Sequence, residues 1–214
     1  MTELIVNEIF HSIQGESTHA GRPCVFIRLT YCNLRCTWCD TAYAFDEGRR
    51  MSIDEIMHQV RQYSCPLVEV TGGEPLVQEG SLALMARLCD DGFETLLETG
   101  GSLDTSRVDP RVRKIIDLKC PGSGMEKKNL WTNIPLLEPS DEVKFVIADR
   151  EDFDWAVEVI RRYHLQERCP VLLSPVFGGL HPSELSRWTL EEGLTARVQL
   201  QLHKYIWEPE TRGV

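Results

Sequence analysis

The stretch CVFIRLTYCNLRCTWCD, residues 24–40, joins a short apolar run to three closely spaced cysteines. Its first part, Cys24–Thr30, has the β-branched and aromatic side chains of a buried strand. Its second part places Cys32, Cys36 and Cys39 in the spacing Cys-x3-Cys-x2-Cys, directly after that strand. Functional residues gather at the carboxyl ends of parallel strands, so this stretch bears on the fold and on the site together.

Strand-like apolar runs alternate with segments of helical periodicity along the rest of the chain. Ser52–Arg61 has helical spacing and begins with a capping box formed by Ser52 and Glu55. Such alternation implies parallel strands joined by crossover connections, with Leu4–Phe10 as an antiparallel edge. The other predicted strands are Pro66–Thr71, Glu94–Thr99, Ile115–Lys119, Val143–Ala148, Val171–Ser174 and Arg197–Leu202, and the other predicted helices are Glu79–Asp91, Phe153–Tyr163 (starting at Asp152) and Ser183–Glu192.

About six such units suit a doubly wound sheet or an incomplete barrel, and periodicity alone does not choose between them. Gly92 and Gly193 are suited to the C-terminal caps of two of the predicted helices. The sequence has no internal repeat, low-complexity tract or Pro/Gly/Ser linker. We therefore predict a single domain over residues 1–214.

The charge of the chain argues against nucleic acid and membranes as partners. Asp and Glu number 33 against 23 Lys and Arg, a formal net charge of -10. Such a surface repels phosphates and anionic lipids.

The longest stretch without Asp, Glu, Lys or Arg, Cys169–Ser183, contains three prolines and is too short to span a bilayer. The first 21 residues contain no Lys or Arg, which argues against an export signal, and we expect a cytoplasmic protein.

The three clustered cysteines indicate a bound metal. Eight cysteines in 214 residues is too few for a disulfide scaffold, and Cys24, Cys65, Cys89, Cys120 and Cys169 fit small buried hydrophobic residues. Three adjacent thiolates repel one another unless a cation offsets their charge. No second Cys pair or His pair follows for a zinc site. Three cysteines instead leave one iron of a 4Fe–4S cluster free, although zinc with a distant fourth ligand and unmetallated cysteines stay open.

These motifs resemble the radical S-adenosylmethionine family. The resemblance rests on the cysteine spacing, on Trp38 before the last cysteine, and on Gly72-Gly73-Glu74-Pro75 after a predicted strand. It implies an incomplete TIM-like (β/α)6 barrel. It also implies that Cys32, Cys36 and Cys39 hold a 4Fe–4S cluster whose open iron binds S-adenosylmethionine, which yields a 5′-deoxyadenosyl radical on reduction.

Further segments resemble one branch of that family, the 7-carboxy-7-deazaguanine synthases of queuosine biosynthesis. They include IFHSIQGES at residues 9–17, GRP at 21–23, FIR at 26–28 and HKY at 203–205. The resemblance implies that 6-carboxy-5,6,7,8-tetrahydropterin is converted to 7-carboxy-7-deazaguanine with loss of ammonia. It also implies Mg2+, an external electron donor such as flavodoxin, and a homodimer.

The resemblance assigns roles to individual positions. An amide and a carboxylate near residue 14 match the donor edge of a pterin, and Arg28, which interrupts an apolar strand, is suited to a substrate carboxylate. Without the family, residues 14–16 fit a polar hairpin turn and Arg28 an outward-facing strand residue. The implied substrate-binding residues are Ile13, Gln14, Gly15, Glu16, Arg28 and Thr71. The implied cofactor-binding residues are Trp38, Cys39, Asp40, Gly73, Asp117, Leu118 and Lys119, and the implied Mg2+ ligand is Thr41. Glu98, Thr99 and His203 are further candidates.

Three other functions compete with this interpretation. A glycyl-radical-enzyme activase shares the cysteine spacing but gives no reason for the IQGE segment. An iron–sulfur electron carrier usually ligates every iron of its cluster, which three cysteines cannot do. A zinc-stabilised binding module lacks a second ligand pair. Binding of S-adenosylmethionine separates the enzymes from the carrier and the module, and turnover of the pterin separates the two enzymes.

Overall fold

A computed structural model describes residues 2–214 as one continuous nine-stranded sheet with helices against it. The strands are β1 (Glu3–Ile13), β2 (Pro23–Leu29), β3 (Arg49–Ser52), β4 (Leu67–Gly72), β5 (Glu94–Thr99), β6 (Arg113–Asp117), β7 (Glu142–Ile147), β8 (Val171–Pro175) and β9 (Arg197–Val198). The α-helices are α1 (Ile53–Arg61), α2 (Gly80–Asp90), α3 (Arg150–Arg162), α4 (Pro182–Glu191) and α5 (His203–Ile206).

The sheet is parallel over most of its width. Its strand order is β3-β1-β2-β4-β5-β6-β7-β8-β9, and the strands from β2 onward in that order pair in parallel. The edge strands β3 and β9 do not pair with each other, so the described sheet stays open. Six substantial parallel strands in an unclosed sheet agree with the predicted incomplete (β/α)6 barrel.

The helices bury apolar faces against one side of the sheet. In α1 the buried residues are Ile56, Met57 and Val60, which follow the helical repeat. The predicted capping box is confirmed, because Ser52 accepts from the Glu55 amide and Glu55 accepts from the Ser52 amide. Among residues 2–214, none of the helices has the length and apolarity needed to cross a membrane.

Several predicted boundaries are wrong. Helix α3 begins at Arg150 with Asp149 as its cap, and Asp152 is a buried acceptor for the amides of Gly122 and Ala148. The predicted strand Arg197–Leu202 shortens to Arg197–Val198, because the chain then turns back over the N-terminal segment. The predicted edge, Leu4–Phe10, is antiparallel but lies between β2 and β3.

The connections after β5 and β6 also differ from a regular barrel. Neither contains an α-helix, and the connection between β6 and β7 consists of short 3-10 turns. These turns include the segment at Pro121–Ser123, whose Ser123 carbonyl accepts from the backbone amide of Thr37 in the cysteine loop. The irregular connection therefore supports the loop that carries the clustered cysteines.

Candidate active site

Alternate residues of five strands face a cavity of about 800 Å³ at the inner side of the sheet. Side chains alternate across a strand, so every second residue of each strand faces this side. The residues of these five strands that line the cavity at alternate positions are Phe26, Arg28, Glu69, Thr71, Glu98, Ile115, Asp117, Lys144 and Val146. Phe10 and Ile13 on β1 and the strand-end residues Gly72 and Thr99 line it as well. Charged groups therefore occupy inner positions in strands whose other faces pack into the apolar core.

The three clustered cysteines open onto the same cavity. Cys32, Cys36 and Cys39 all line its wall and none forms a disulfide. The loop leaves β2 through Tyr31, which has a positive φ of 77°. Gly73 packs directly under this turn, where an added Cβ would collide with the Tyr31 carbonyl oxygen. Gly73 is therefore required by the backbone packing of the cysteine loop as well as by its position on the cavity wall.

The thiols fit the demands of an iron–sulfur cluster. Burial raises the pKa of the Cys32 and Cys36 thiols, so each needs a cation to become a thiolate. The Leu34 amide donates to the Cys32 sulfur at 3.4 Å, a contact of the kind that tunes such clusters. No three His, Cys, Asp or Glu side chains within residues 2–214 converge on a single-ion site. A 4Fe–4S cluster does not require the three side chains to converge on one ion, because each thiolate binds a different iron.

A buried lysine lies at the centre of a charged cluster in the cavity wall. The Lys144 ammonium lies 2.8 Å from Glu16 and 3.7 Å from Asp117, and it also pairs with Glu98. Its side chain is only 5% exposed. Burial opposes ionisation of Glu16, but the Lys144 charge together with the hydrogen bonds from Lys144 and Gln201 outweighs it and holds the pKa of Glu16 below its ordinary value. The wall thus presents an ionised carboxylate of Glu16 held in place by β7.

Gln14 and Arg28 are held by neighbouring carboxylates. The Gln14 side-chain amide donates to Glu69 at 2.5 Å and accepts from the Glu16 backbone amide at 3.0 Å. Arg28 donates from Nε to Glu8 at 2.7 Å. Its two terminal nitrogens make no hydrogen bond with any group of residues 2–214, so a two-pronged contact with a ligand carboxylate stays available.

The C-terminal segment closes over the N-terminal loop. The Leu202 amide donates to the Gly15 carbonyl, and the His203 ring occupies the space that a Cβ on Gly15 would need. Lys204 donates to the Asp40 carboxylate at 2.7 Å, which ties this segment to the cysteine loop. The final residues also line the cavity, where the Arg212 guanidinium lies 3.7 Å from the centre of the Tyr43 ring.

All but one of the site residues predicted from the sequence line this cavity. Those that do are Ile13, Gln14, Gly15, Glu16, Arg28, Cys32, Cys36, Trp38, Cys39, Asp40, Thr41, Thr71, Gly73, Asp117 and Lys119. The further candidates Glu98, Thr99 and His203 line it as well. Leu118 does not, because its side chain is 1% exposed in the core and its amide donates to the Lys144 carbonyl. Inner and outer positions alternate at the end of β6, so Leu118 points away from the cavity between the lining residues Asp117 and Lys119.

Two charged residues of this wall, Glu69 and Lys144, were not among the site residues predicted from the sequence. Each interrupts an apolar strand, Glu69 in LVEV and Lys144 in VKFV. This is the signal that singled out Arg28. Glu74 was predicted only as part of the glycine motif. Its buried carboxylate accepts from the Thr99 hydroxyl and from the Gly100 amide and so joins the ends of β4 and β5.

The fold and the site agree with comparisons to known proteins. A family model described as the Radical SAM superfamily matches residues 26–185, which include the cysteine loop and the glycine motif. A crystal structure of QueE from Escherichia coli superposes with a TM-score of 0.78 at 23% identity, over 95% of this chain and 96% of that one. The chain belongs to the radical SAM superfamily, and the predicted incomplete barrel is confirmed.

Curated relatives narrow the family further. A 7-carboxy-7-deazaguanine synthase from Chlorobaculum tepidum is 50% identical over 214 residues, covering 99% of this chain and 97% of the relative. One from Koribacter versatilis is 45% identical, covering 98% and 99%. The chain belongs to the family of 7-carboxy-7-deazaguanine synthases. Its cofactors are accordingly a 4Fe–4S cluster and S-adenosylmethionine, as predicted.

Proposed function

We propose that this protein catalyses the radical-mediated ring contraction of 6-carboxy-5,6,7,8-tetrahydropterin to 7-carboxy-7-deazaguanine, with release of ammonia, in queuosine or other 7-deazapurine biosynthesis. One observation carries the proposal. A single cavity is lined both by three free cysteines and by the side chains of Gln14, Glu16 and Arg28. A ligand in this cavity would therefore lie within reach of the cluster and of a set of polar groups that fit a carboxylated pterin.

The N-terminal loop supplies acceptors for the pterin. A pterin presents an amino group and a ring N–H along one edge, and these donors need acceptors once they are buried. Glu16 is ionised and fixed by Lys144, and the backbone of Ile13–Gly15 lies beside it. Arg28 is oriented through Nε by Glu8 and offers its terminal nitrogens to the substrate carboxylate. Thr71, at the same end of β4, completes this side of the proposed substrate site.

The cofactor side is assigned to residues that border the cysteine loop. When bound, the cluster supplies the electron that cleaves S-adenosylmethionine. Trp38, Asp40 and Gly73 lie on the wall beside the cysteines. Asp117 and Lys119 pair with each other at 2.8 Å and extend that wall along β6. Leu118, between these two residues, remains in the proposed set, although its side chain packs into the core and does not line the cavity.

Thr41 is the proposed Mg2+ ligand. Its side chain caps no helix, and its hydroxyl has only a long contact of 3.9 Å with the Cys39 sulfur. A hydroxyl without a strong protein partner is available to a hard cation. A single neutral oxygen suits a Mg2+ ion that is shared with the substrate carboxylate and keeps several waters.

The remaining assignments concern the oligomeric state, the electron donor, the cellular location and the domain organisation of the enzyme. The proposal includes a homodimer, an external electron donor such as flavodoxin, a cytoplasmic location, and one domain over residues 1–214. Family resemblance supports the dimer and the donor. The net charge of -10 supports the expectation that neither nucleic acid nor a membrane surface is a partner.

Anaerobic turnover tests the proposal. Reconstituted protein is incubated with S-adenosylmethionine, a reductant and 6-carboxytetrahydropterin, and the product is identified by mass. We expect 7-carboxy-7-deazaguanine and ammonia from the parent protein and neither from Cys36→Ala. A fully loaded protein that binds S-adenosylmethionine but leaves the pterin unchanged would overturn the proposed reaction.

A further inference from the structure

Glu69 occupies an unusual place for a charged residue, in the middle of the buried strand β4. The strand reads Leu67-Val68-Glu69-Val70, and the three apolar neighbours are at most 1% exposed. Glu69 itself is 4% exposed and lines the cavity. Its parallel partners in register are Phe26 on β2 and Leu96 on β5. Burying a carboxyl group at this position costs free energy. The group therefore requires either a partner that offsets this cost or a functional role.

No cation within residues 2–214 forms an ion pair with the Glu69 carboxyl. Lys144 pairs with Glu16, Glu98 and Asp117, but within residues 2–214 no lysine, arginine or histidine lies within 4.0 Å of the Glu69 carboxyl. Arg28, two residues beyond Phe26 on β2, is paired with Glu8. The sole hydrogen bond to the Glu69 carboxyl within those residues comes from the neutral amide of Gln14.

The surrounding charges favour the protonated form. Burial and the negative charges of Glu98 and Glu16 raise the pKa of Glu69 well above its ordinary value, and the Lys144 charge and the Gln14 hydrogen bond do not compensate. The titratable groups around it are Cys24 and Arg28 on β2, Glu16 in the loop after β1, Glu98 on β5 and Lys144 on β7. Of the carboxyl groups held in this wall, Glu16 is paired with a lysine and Glu69 is not.

The Gln14 amide determines which oxygen of Glu69 holds the proton. Its Oε1 accepts from the Glu16 backbone amide, so its Nε2 is the atom that faces Glu69. Nε2 donates to Oε2 of Glu69, which therefore acts as an acceptor. In the neutral acid the proton would therefore be on Oε1, which has no hydrogen-bond partner among residues 2–214.

We propose that Glu69 is a substrate-recognition residue that, as a neutral carboxylic acid, donates a hydrogen bond from Oε1 to an acceptor atom of the bicyclic substrate, a ring carbonyl or ring nitrogen. The proposal rests on the proposed function and deepens it. Ionised Glu16 offers acceptors to the amino and N–H edge of the heterocycle, and Glu69 offers a donor to an acceptor of the same ring system. A site with both kinds of group rejects rings that lack either pattern, because a buried polar group would be left unpaired.

Two variants separate a neutral donor from a carboxylate. Glu69→Gln keeps the shape, accepts from Gln14 through its oxygen and donates through its amide. Glu69→Leu removes the donor. We expect Glu69→Gln to bind 6-carboxytetrahydropterin within about threefold of the parent and Glu69→Leu to bind it about ten- to a hundredfold more weakly. The parent affinity falls as Glu69 ionises at high pH, and that fall is absent in Glu69→Gln.

A second measurement needs no substrate. The infrared difference spectrum between the parent and Glu69→Gln at neutral pH should contain the C=O band of a protonated carboxyl group, which shifts in D2O. Glu3→Gln, at an exposed carboxylate, is the control and should give no such band. Iron analysis of each variant establishes that it holds the 4Fe–4S cluster, and thermal unfolding establishes that it is folded.

The outcomes distinguish the inference from the proposed function. Failure of the parent protein to bind the pterin would overturn both. Binding by the parent that is lost equally in Glu69→Gln and Glu69→Leu, or retained in both, would overturn the role of Glu69 alone. A difference spectrum without the protonated band would overturn it independently of any ligand.

Discussion

The Lys144 ammonium lies 2.8 Å from the Glu16 carboxylate, although 128 residues separate the two in sequence. Lys144 stands at an inner position of β7, and Glu16 belongs to the loop after β1. The contact fixes the loop that carries the proposed pterin acceptors to the far side of the sheet. Removing either charge should therefore affect the site and the stability together.

Lys144→Met should destabilise the folded protein by about 3–5 kcal/mol, because Glu16, Glu98 and Asp117 lose their shared cation inside the protein. Denaturant unfolding of the apo protein measures this change. The double variant Lys144→Met/Glu98→Gln should recover part of it, since one uncompensated charge is removed. Lys127→Met, at an exposed position, is the control. Unchanged stability in Lys144→Met would contradict the buried network.

Cys36→Ala should abolish the cluster and the activity, because two thiolates cannot bind three irons. Iron and sulfide analysis after anaerobic reconstitution should find close to four of each per parent chain and neither at stoichiometric level in the variant. Cys89→Ala, at a half-buried cysteine outside the cavity, is the matched control and should load normally. Stoichiometric zinc without iron in gently purified parent protein would refute the cluster assignment.

Arg28→Lys should weaken binding of the pterin by about tenfold or more although it keeps the charge. A lysine ammonium can still pair with Glu8, but it cannot then present two parallel N–H groups to a substrate carboxylate. Titration calorimetry measures the affinity, and iron content should be unchanged. Arg50→Lys, an exposed residue on β3, is the control. An affinity equal to that of the parent would return Arg28 to a structural role.

Thr41→Ala should retain the cluster and S-adenosylmethionine binding but lose most of the stimulation of turnover by Mg2+. Thr41→Ser keeps the oxygen and should preserve that stimulation. The measurement is the turnover rate over a range of Mg2+ concentrations for the three proteins. A full response of Thr41→Ala to Mg2+ would exclude the hydroxyl as a ligand.

Lys204→Met should loosen the C-terminal segment from the cysteine loop, because it removes the 2.7 Å contact with Asp40. We expect weaker substrate binding and faster amide hydrogen exchange in residues 201–206, with little change in global stability. The Lys204 side chain is 9% exposed but Asp40 is 47% exposed, so the ion pair itself contributes little to stability. Unchanged amide hydrogen exchange in residues 201–206 would show that the contact between Lys204 and Asp40 does not restrain this segment.

The sequence alone located eight of the nine described strands, missing β3, located four of the five described α-helices, missing α5, and indicated the chemistry of the cysteine loop. Apolar periodicity located β4, β5 and α1 because burial imposes a fixed repeat on each kind of element. The spacing of Cys32, Cys36 and Cys39 identified a three-thiolate ligand set because neighbouring thiolates need a cation. The family resemblance then identified candidate site residues, and nearly all of these residues line one cavity.

The tertiary structure alone decided which charges meet inside the sheet. Glu69 and Lys144 are isolated charges in apolar strands, and only the parallel register brings them to the same inner face as Glu16 and Glu98. It also decided that Leu118, one residue beyond Asp117, belongs to the core. Periodicity along the chain shows which residues share a face, whereas the protonation of Glu69 depends on distances across the sheet, which no local sequence pattern specifies.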